Sequence, residues 1–142
     1  MKTRPQLRNE GETSALLVRD GAEYWCDLKA AIEAQPLRVC EVGWLSEAEE
    51  RLKAPNPPQL VFTAVLLVDG DWEGVLFLGK TAGVPVIVVS TCLDVSFCLD
   101  VLDSGAFDFL VPPFDREDVA YLVHNAIWRA VPGATTFVPR AA

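Results

Sequence analysis

The chain has 142 residues, of which 51% are hydrophobic, and a formal net charge of −8 at pH 7. This length and composition suit one domain with a sizeable core, and the acidic balance excludes nucleic acid as a partner, because binding a phosphate backbone requires clustered lysines and arginines. No apolar run reaches the roughly 20 residues of a membrane helix, and the four cysteines lack CxxC or metal-ligand spacing. We therefore expect a cytoplasmic protein with reduced thiols and no membrane partner.

Short apolar runs alternate along the chain with segments of helical spacing. A flexible polar leader at 1–14 and a tail at 132–142 flank a predicted domain at 15–131. Apolar runs bounded by turn signals predict strands, and apolar residues at every third or fourth position predict helices. The predicted strands are 15–18, 37–42, 60–66, 84–89 and 107–111, and the predicted helices are 23–34, 47–53, 72–82, 95–104 and a last one capped by Asp115.

Two of the predicted helices carry contrasting local signals. Ser46, followed three residues later by Glu49, predicts a capping box at the start of the second helix. The third helix, at 72–82, is a poor helix by sequence because Gly74 and Gly79 interrupt it.

The alternation of strands and helices predicts βαβ units and a parallel sheet. With short right-handed crossovers, the expected fold class is α/β: a flavodoxin-like (βα)5 doubly wound sandwich with a five-stranded parallel sheet of strand order 2-1-3-4-5. Ligand sites in such sheets lie at the carboxyl ends of the strands, near the point where the strand order reverses. The candidate residues end or follow the strands: Arg19 and Asp20, Ala64 with Asp69 and Asp71, Ser90, and Pro112.

Three segments of the chain resemble one known family. They are 62–71 (FTAVLLVDGD), 84–90 (VPVIVVS) and 104–114 (SGAFDFLVPPF), of which the last is the most specific. Together they resemble the third, fourth and fifth strands of the receiver domain of bacterial two-component response regulators, and the likeness extends over about 15–130. It implies phosphoryl transfer from a histidine kinase to an aspartate, with magnesium held by that aspartate and an acidic pair after the first strand. It also implies a lysine after the fifth strand and a hydroxyl residue after the fourth.

Carried over by position, most of that phosphoryl site is missing. The acceptor falls on Ala64, or on Thr63 if the register shifts by one place, and neither residue has a carboxylate. The acidic pair falls on Arg19 and Asp20, so a cation replaces one metal carboxylate. We expect magnesium binding to be lost or very weak. An ion pair from Arg19 to Asp20 or to Asp69 is expected to take over the charge balance.

The other family positions are only partly filled. The lysine falls on Pro112, and the hydroxyl position is filled by Ser90. The aromatic switch position of the fifth strand falls on Phe109, which keeps a ring without a phenol. The resemblance therefore implies a pseudo-receiver that is not phosphorylated on aspartate and is not an enzyme.

Several polar residues near this site have simpler structural interpretations. Asp69 and Asp71 suit an Asp-Gly turn better than a substitute acceptor or metal site. Ser90 suits a hydrogen bond to neighbouring backbone better than an anion contact. His124 lies off the apolar stripe of the last helix and has no predicted catalytic or ligand role.

The helix predicted at 95–104 carries a wider apolar arc than one buried stripe requires. In receivers, the surface of the fourth helix, fifth strand and fifth helix is the usual face for dimerisation or partner binding. We expect a protein partner or a homodimer at this face through Val95, Phe97 and Val101, with Phe97 and Val101 as exposed anchors. The open alternative is a helix more deeply covered by its own chain.

The favoured function is a phosphorylation-independent protein–protein interaction module in two-component (phosphorelay) signal transduction. The alternative is a sensor of a small molecule or anion in the vacated phosphoryl pocket, with Arg19 and Ser90 as contacts. An enzyme of flavodoxin-like fold is disfavoured, because no glycine-rich phosphate loop follows the first strand and no nucleophile–base pair is visible.

Overall fold

The structure is a computed structural model that describes residues 13–91 and 94–128. Its elements are β1 (Ser14–Val18), α1 (Tyr24–Glu33), β2 (Arg38–Val42), α2 (Leu45–Lys53), β3 (Leu60–Ala64), β4 (Leu66–Leu67), β5 (Gly70–Asp71), α3 (Trp72–Ala82), β6 (Val86–Val89), α4 (Val95–Asp103), β7 (Asp108–Leu110) and α5 (Arg116–Trp128). The predicted tail and most of the predicted leader lie outside the described ranges, although Ser14 already belongs to β1. No helix in those ranges is long and apolar enough to cross a membrane.

The main sheet has five strands in the order β2-β1-β3-β6-β7, and every neighbouring pair is parallel. Since β4 and β5 form a separate antiparallel pair, β6 and β7 are the fourth and fifth strands of the main sheet. The order is therefore the predicted 2-1-3-4-5, and the predicted fold class is confirmed. The second strand lies at an edge of the sheet, where Arg38 is exposed.

Alternating residues of the central strands build two hydrophobic cores, one on each face of the sheet. Leu17, Phe62 and Ile87 belong to the core that Trp25 of α1 and Leu122 of α5 also enter. Their neighbours along the strands point the other way, into a second core closed by α2, α3 and α4. Residues of this second core include Leu16, Val61, Val88, Leu52, Val75 and Val101. Helices on both faces make the sheet doubly wound, as the sequence predicts.

The central strand is shorter than predicted. It ends at Ala64, whereas the prediction continued it to Leu66. Leu66–Leu67 instead pairs with Gly70–Asp71 in a short hairpin, and the backbone N–H of Trp72 donates to the carbonyl of Val65 at 2.9 Å. These hydrogen bonds close the hairpin, so that α3 begins next to the end of the central strand.

The predicted capping box at the second helix is wrong. The helix begins at Leu45, and its N-cap residue Trp44 makes no side-chain capping bond. The Asp69 carboxylate, from the hairpin turn, accepts from the backbone N–H of Leu45 at 2.6 Å and of Ser46 at 3.0 Å. Glu47 reaches back to the N–H of Gly43 at 2.9 Å. A distant carboxylate thus satisfies the N–H groups that a local cap would otherwise bind, and it also suits the positive end of the helix dipole.

Removing this remote cap by Asp69→Ala is expected to lower the melting temperature at pH 7. The pKa of Asp69 is lowered from its ordinary value near 3.8, mainly by the hydrogen bond from the Leu45 N–H. Because the folded pKa is depressed, the stabilisation is present above that ordinary value and is lost as the pH falls through the folded pKa. Thermal melts followed by circular dichroism at several pH values should show the gap to wild type closing in acid.

Glu50→Ala is the matched control for Asp69→Ala. It removes an exposed carboxylate from α2 itself. Its gap to wild type should be small and should change little with pH. A constant gap for Asp69→Ala between neutral and acid pH would contradict the capping role.

Candidate functional site

The predicted site residues all lie at one edge of the main sheet, where the parallel strands end. Ala64, the last residue of β3, is in register with Val89 of β6. Ser90 follows β6, and its N–H donates to the carbonyl of Leu110 in β7 at 3.1 Å. Arg19, directly after β1, donates its N–H to the carbonyl of Val42 at the end of β2. The strand ends that carry the family's site are therefore brought together as predicted.

The predicted acceptor position, Ala64, holds only a buried methyl group. Ala64 is fully buried at the end of β3. Thr63, the alternative one place away, is also fully buried, and its hydroxyl donates to the Ala64 carbonyl at 2.9 Å. Neither residue presents a nucleophilic carboxylate to this edge of the sheet.

Arg19 pairs with a residue that the sequence analysis missed. Its guanidinium Nη1 lies 2.6 Å from Oε1 of Glu41 on β2, and Lys29 of α1 lies 2.8 Å from the other oxygen of Glu41. The predicted ion pairs from Arg19 to Asp20 or Asp69 are wrong. The only bond from the Arg19 guanidinium to Asp20 goes to its backbone carbonyl, at 3.3 Å. The parallel pairing of β1 with β2 explains the choice, since it places Glu41 next to the end of β1.

Arg19, Lys29 and Glu41 form a group of opposite charges that stabilise one another's ionised forms. Hydrogen bonds from Lys29 and Arg19 lower the pKa of Glu41, and the bond to Glu41 in turn raises the pKa of Lys29. The side chains of Arg19 and Glu41 are 27% and 26% exposed, so solvent screens the pair only in part. Glu41 therefore remains ionised and holds the Arg19 guanidinium at β2.

Asp20, the one retained residue of the acidic pair, has a structural role. Its Oδ1 accepts from the indole N–H of Trp25 at 2.9 Å and from the N–H of Ala22 at 2.9 Å. Trp25 is fully buried, and a buried indole needs such an acceptor. Tyr24 lies close by, and burial, followed by the charge of Asp20, raises its pKa. Asp20 thus anchors the start of α1, in a role that the buried tryptophan could have suggested.

The remaining positions supply little chemistry. Ser90 is 9% exposed, and its backbone N–H donates to the carbonyl of Leu110 in the neighbouring strand. Pro112 is half-buried and has no ammonium group to offer. Asp71 accepts from the N–H groups of Glu73 and Gly74 and so caps α3, while Asp69 lies in the hairpin turn and caps α2, a role that the turn interpretation did not include. Among the described residues, no group of three His, Cys, Asp or Glu side chains is placed to hold a metal ion.

The switch position takes part in a row of aromatic rings. Phe109 packs edge-to-face on Phe97 at 5.7 Å between ring centroids, and Phe97 packs in the same way on Trp72 at 5.9 Å. Phe97 is therefore half-buried, and Val101 on the same helix is fully buried. The prediction that Phe97 and Val101 are exposed anchors is wrong, because their side of α4 packs onto the sheet. Val95 and Leu99 are the exposed apolar residues of α4, and an interface at this helix stays a prediction.

Comparison with known proteins supports the same fold and class. No family model matches the chain. It is 32% identical over 101 residues to the swarming motility regulation protein RssB of Serratia marcescens, a match that covers 70% of this chain and 46% of RssB. It is 34% identical over 103 residues to the KDP operon transcriptional regulatory protein KdpE of Escherichia coli, covering 72% of this chain and 45% of KdpE. The chain thus spans a little under half the length of these curated relatives.

A solved structure extends the likeness to the whole fold. A two-component response regulator from Clostridium difficile superposes with a TM-score of 0.68 at 24% identity, covering 84% of this chain and 98% of that one. The five-stranded parallel sheet with its order 2-1-3-4-5 defines a flavodoxin-like α/β domain. Within that class, the chain resembles the receiver domains of two-component response regulators, as its sequence predicts.

Proposed function

We propose that this receiver-like domain acts in two-component signal transduction by binding another protein, without phosphorylation of an aspartate. The observation that carries the proposal is the fully buried Ala64 methyl at the end of β3, where a receiver's acceptor carboxylate is expected. An aspartyl phosphate requires a carboxylate nucleophile, and Ala64 has none. The state of the domain would then be constant, and its output would depend on its surface.

The surrounding residues do not fit a magnesium ion, which supports the same proposal. A hard divalent cation needs several oxygen ligands. Asp20 already accepts two hydrogen bonds on Oδ1, and the neighbouring position is the cation Arg19. We infer that magnesium binding is lost or very weak, because a cation, Arg19, stands beside Asp20 and is itself bound to Glu41.

The alternative function, a sensor in the vacated pocket, receives no support from the geometry of its proposed contacts. A sensor of this kind needs Arg19 to face an anion, but Arg19 is bound to Glu41 at 2.6 Å. Its second proposed contact, Ser90, is nearly buried. The interaction module is therefore the function that the site supports best.

Incubation of the full chain with acetyl phosphate and magnesium, followed by intact mass spectrometry, tests the proposal. We expect no gain of about 80 Da, the mass of one phosphoryl group. A receiver domain that carries an acceptor aspartate, treated in parallel, should gain that mass. A stable adduct mapped to any aspartate of this chain, Asp69 and Asp71 included, would overturn the proposal.

A magnesium titration gives an independent readout of the same site. Since the Trp25 indole N–H is bound to Asp20, a metal that takes the carboxylate must alter the environment of this indole. We expect tryptophan fluorescence to stay constant up to about 10 mM magnesium, well above the range of specific protein sites. A saturable change that Asp20→Asn abolishes would show that the site still binds the metal.

A further inference from the structure

An exposed apolar surface lies beside the vacated site. It consists of Trp44, Leu66 and Val68, which are 46%, 69% and 79% exposed, and we call it the hairpin patch. Leu66 begins the hairpin and Val68 lies two positions on, in its turn; both are exposed, whereas Leu67 between them is partly buried. Single exposed apolar residues are ordinary, but three of them on one hairpin and at the start of the helix bound to it favour an interaction surface.

Contacts between the hairpin and α2 hold the backbone that follows Trp44 against the hairpin. Trp44 precedes Leu45, and the Leu45 N–H donates to Asp69, the residue after Val68. The Leu45 side chain also packs so closely on Gly70 that a Cβ atom there would lie 2.6 Å from its Cδ2. These contacts fix the backbone that carries the patch, so binding of a partner costs little conformational entropy.

The charged residues of the hairpin and of the first turns of α2 and α3 are all acidic. Glu47, Asp69 and Glu73 are exposed acids within the same hairpin and helix starts, and hydrogen bonds keep the pKa of Asp69 low. Arg19 at this edge of the sheet is neutralised by Glu41. With a net charge of −8 as well, the surface favours a basic partner. A second copy of this chain would bring the same acids against it and be repelled.

We propose that the hairpin patch docks a basic amphipathic helix of a partner protein. Strand addition is the poorer solution, because β4 and β5 have only two residues each and offer few main-chain groups. A helix can set apolar residues at i and i+3 or i+4 on the patch, with flanking lysines or arginines against the acids. This inference rests on the proposed function and names the partner chemistry for it. Because Ala64 and the Arg19–Glu41 pair do not change, the patch is presented constitutively.

A synthetic helical peptide of about 18 leucines and lysines, with one apolar and one basic face, is a suitable probe. Fluorescence anisotropy of the labelled peptide should show saturable binding to the full chain, and binding should weaken with salt. The double variant L66S/V68S should bind at least about tenfold more weakly, since both residues are interface anchors. An acidic peptide with the same apolar face should not bind.

The variant V95S/L99S is the matched control, because it removes two apolar residues of similar exposure (68% and 55%) from α4. It should bind as wild type does, and both double variants should melt within a few degrees of wild type. Equal affinity of wild type and L66S/V68S overturns the inference, as does equal binding of the acidic peptide. Loss of binding in V95S/L99S alone also overturns it, but moves the interface to α4 and leaves the proposed function standing. A phosphoryl adduct in the mass assay would instead defeat the proposed function.

Discussion

Ala64→Asp is expected to destabilise the domain by about 2–4 kcal/mol at pH 7. Ala64 is fully buried and packs in the core that contains Phe62 and Val89. A carboxylate there is removed from water, and Arg19, the cation that follows the neighbouring strand β1, is already bound to Glu41. Chemical denaturation of the variant and of wild type measures the difference.

The pH dependence of the free energy of unfolding separates the effect of the introduced charge from the effect of the larger side chain. Burial should raise the pKa of the introduced carboxyl, so the folded state holds its proton more tightly than the unfolded chain. The stability loss should therefore be smallest below the ordinary aspartate pKa of about 3.9 and grow as the pH rises through the folded pKa. Ala64→Asn has nearly the same size without the charge and should show little pH dependence. Equal stability of the two variants at pH 7 would contradict a buried-charge penalty.

The same variant should also fail to accept a phosphoryl group from acetyl phosphate. Under the proposed function, Arg19 takes the position of a metal carboxylate and Pro112 that of a lysine, so we expect neither magnesium nor the phosphoryl charge to be held. The triple variant A64D/R19D/P112K restores all three groups and is expected to gain about 80 Da. A stable adduct on the single variant would contradict this expectation and show that Ala64 alone prevents phosphorylation.

Gly79→Ala is expected to destabilise the domain by about 2 kcal/mol. A Cβ atom at Gly79 would overlap Cγ2 of Val86 and lie 2.9 Å from the carbonyl oxygen of Val84. Overpacking against a backbone atom costs about 3 kcal/mol, and the better helix propensity of alanine returns about 1 kcal/mol. The midpoint of urea denaturation measures this loss.

Gly74→Ala, in the same helix, is its matched control. A Cβ atom there would lie 3.0 Å from Cδ2 of Leu45, the far end of a flexible side chain that can shift. The gain in helix propensity then offsets the contact, and stability should stay within about 1 kcal/mol of wild type. If both variants lose the same amount, close approach of α3 to β6 is not the reason for Gly79.

These two glycines also explain why the third helix looked poor by sequence. The prediction gave its bounds as 72–82, and the helix occupies Trp72–Ala82. Glycine lowers helix propensity at any position, but Gly79 lets the helix pack directly on the β6 strand. Propensity is a local quantity and contains no information about a strand that follows after a loop.

The fold was predictable because its signals are local and repeated. The run at Val86–Val89 is apolar and β-branched, and Asp115 caps α5 through the N–H groups of Glu117 and Asp118, two and three residues away. Alternation of such elements leaves few economical topologies, and the parallel sheet is one of them. The residue at the end of the central strand, Ala64, was also readable, and the proposed loss of the acceptor depends only on it.

The partners of the site residues were not predictable in this way. Asp69 caps α2 through Leu45, 24 positions away, and Glu41 binds Arg19 across 22 positions. The direction of Phe97 depends on two rings from other elements.

Residue pattern alone thus determined the order of elements, the doubly wound sheet and the absence of a carboxylate at Ala64, because each follows from neighbours along the chain. The tertiary structure decided that Arg19 forms an ion pair with Glu41 and that Asp20 accepts a hydrogen bond from Trp25. It also decided that Phe97 and Val101 face inward. Those choices depend on strand order, register and helix packing, which bring together groups that the sequence separates.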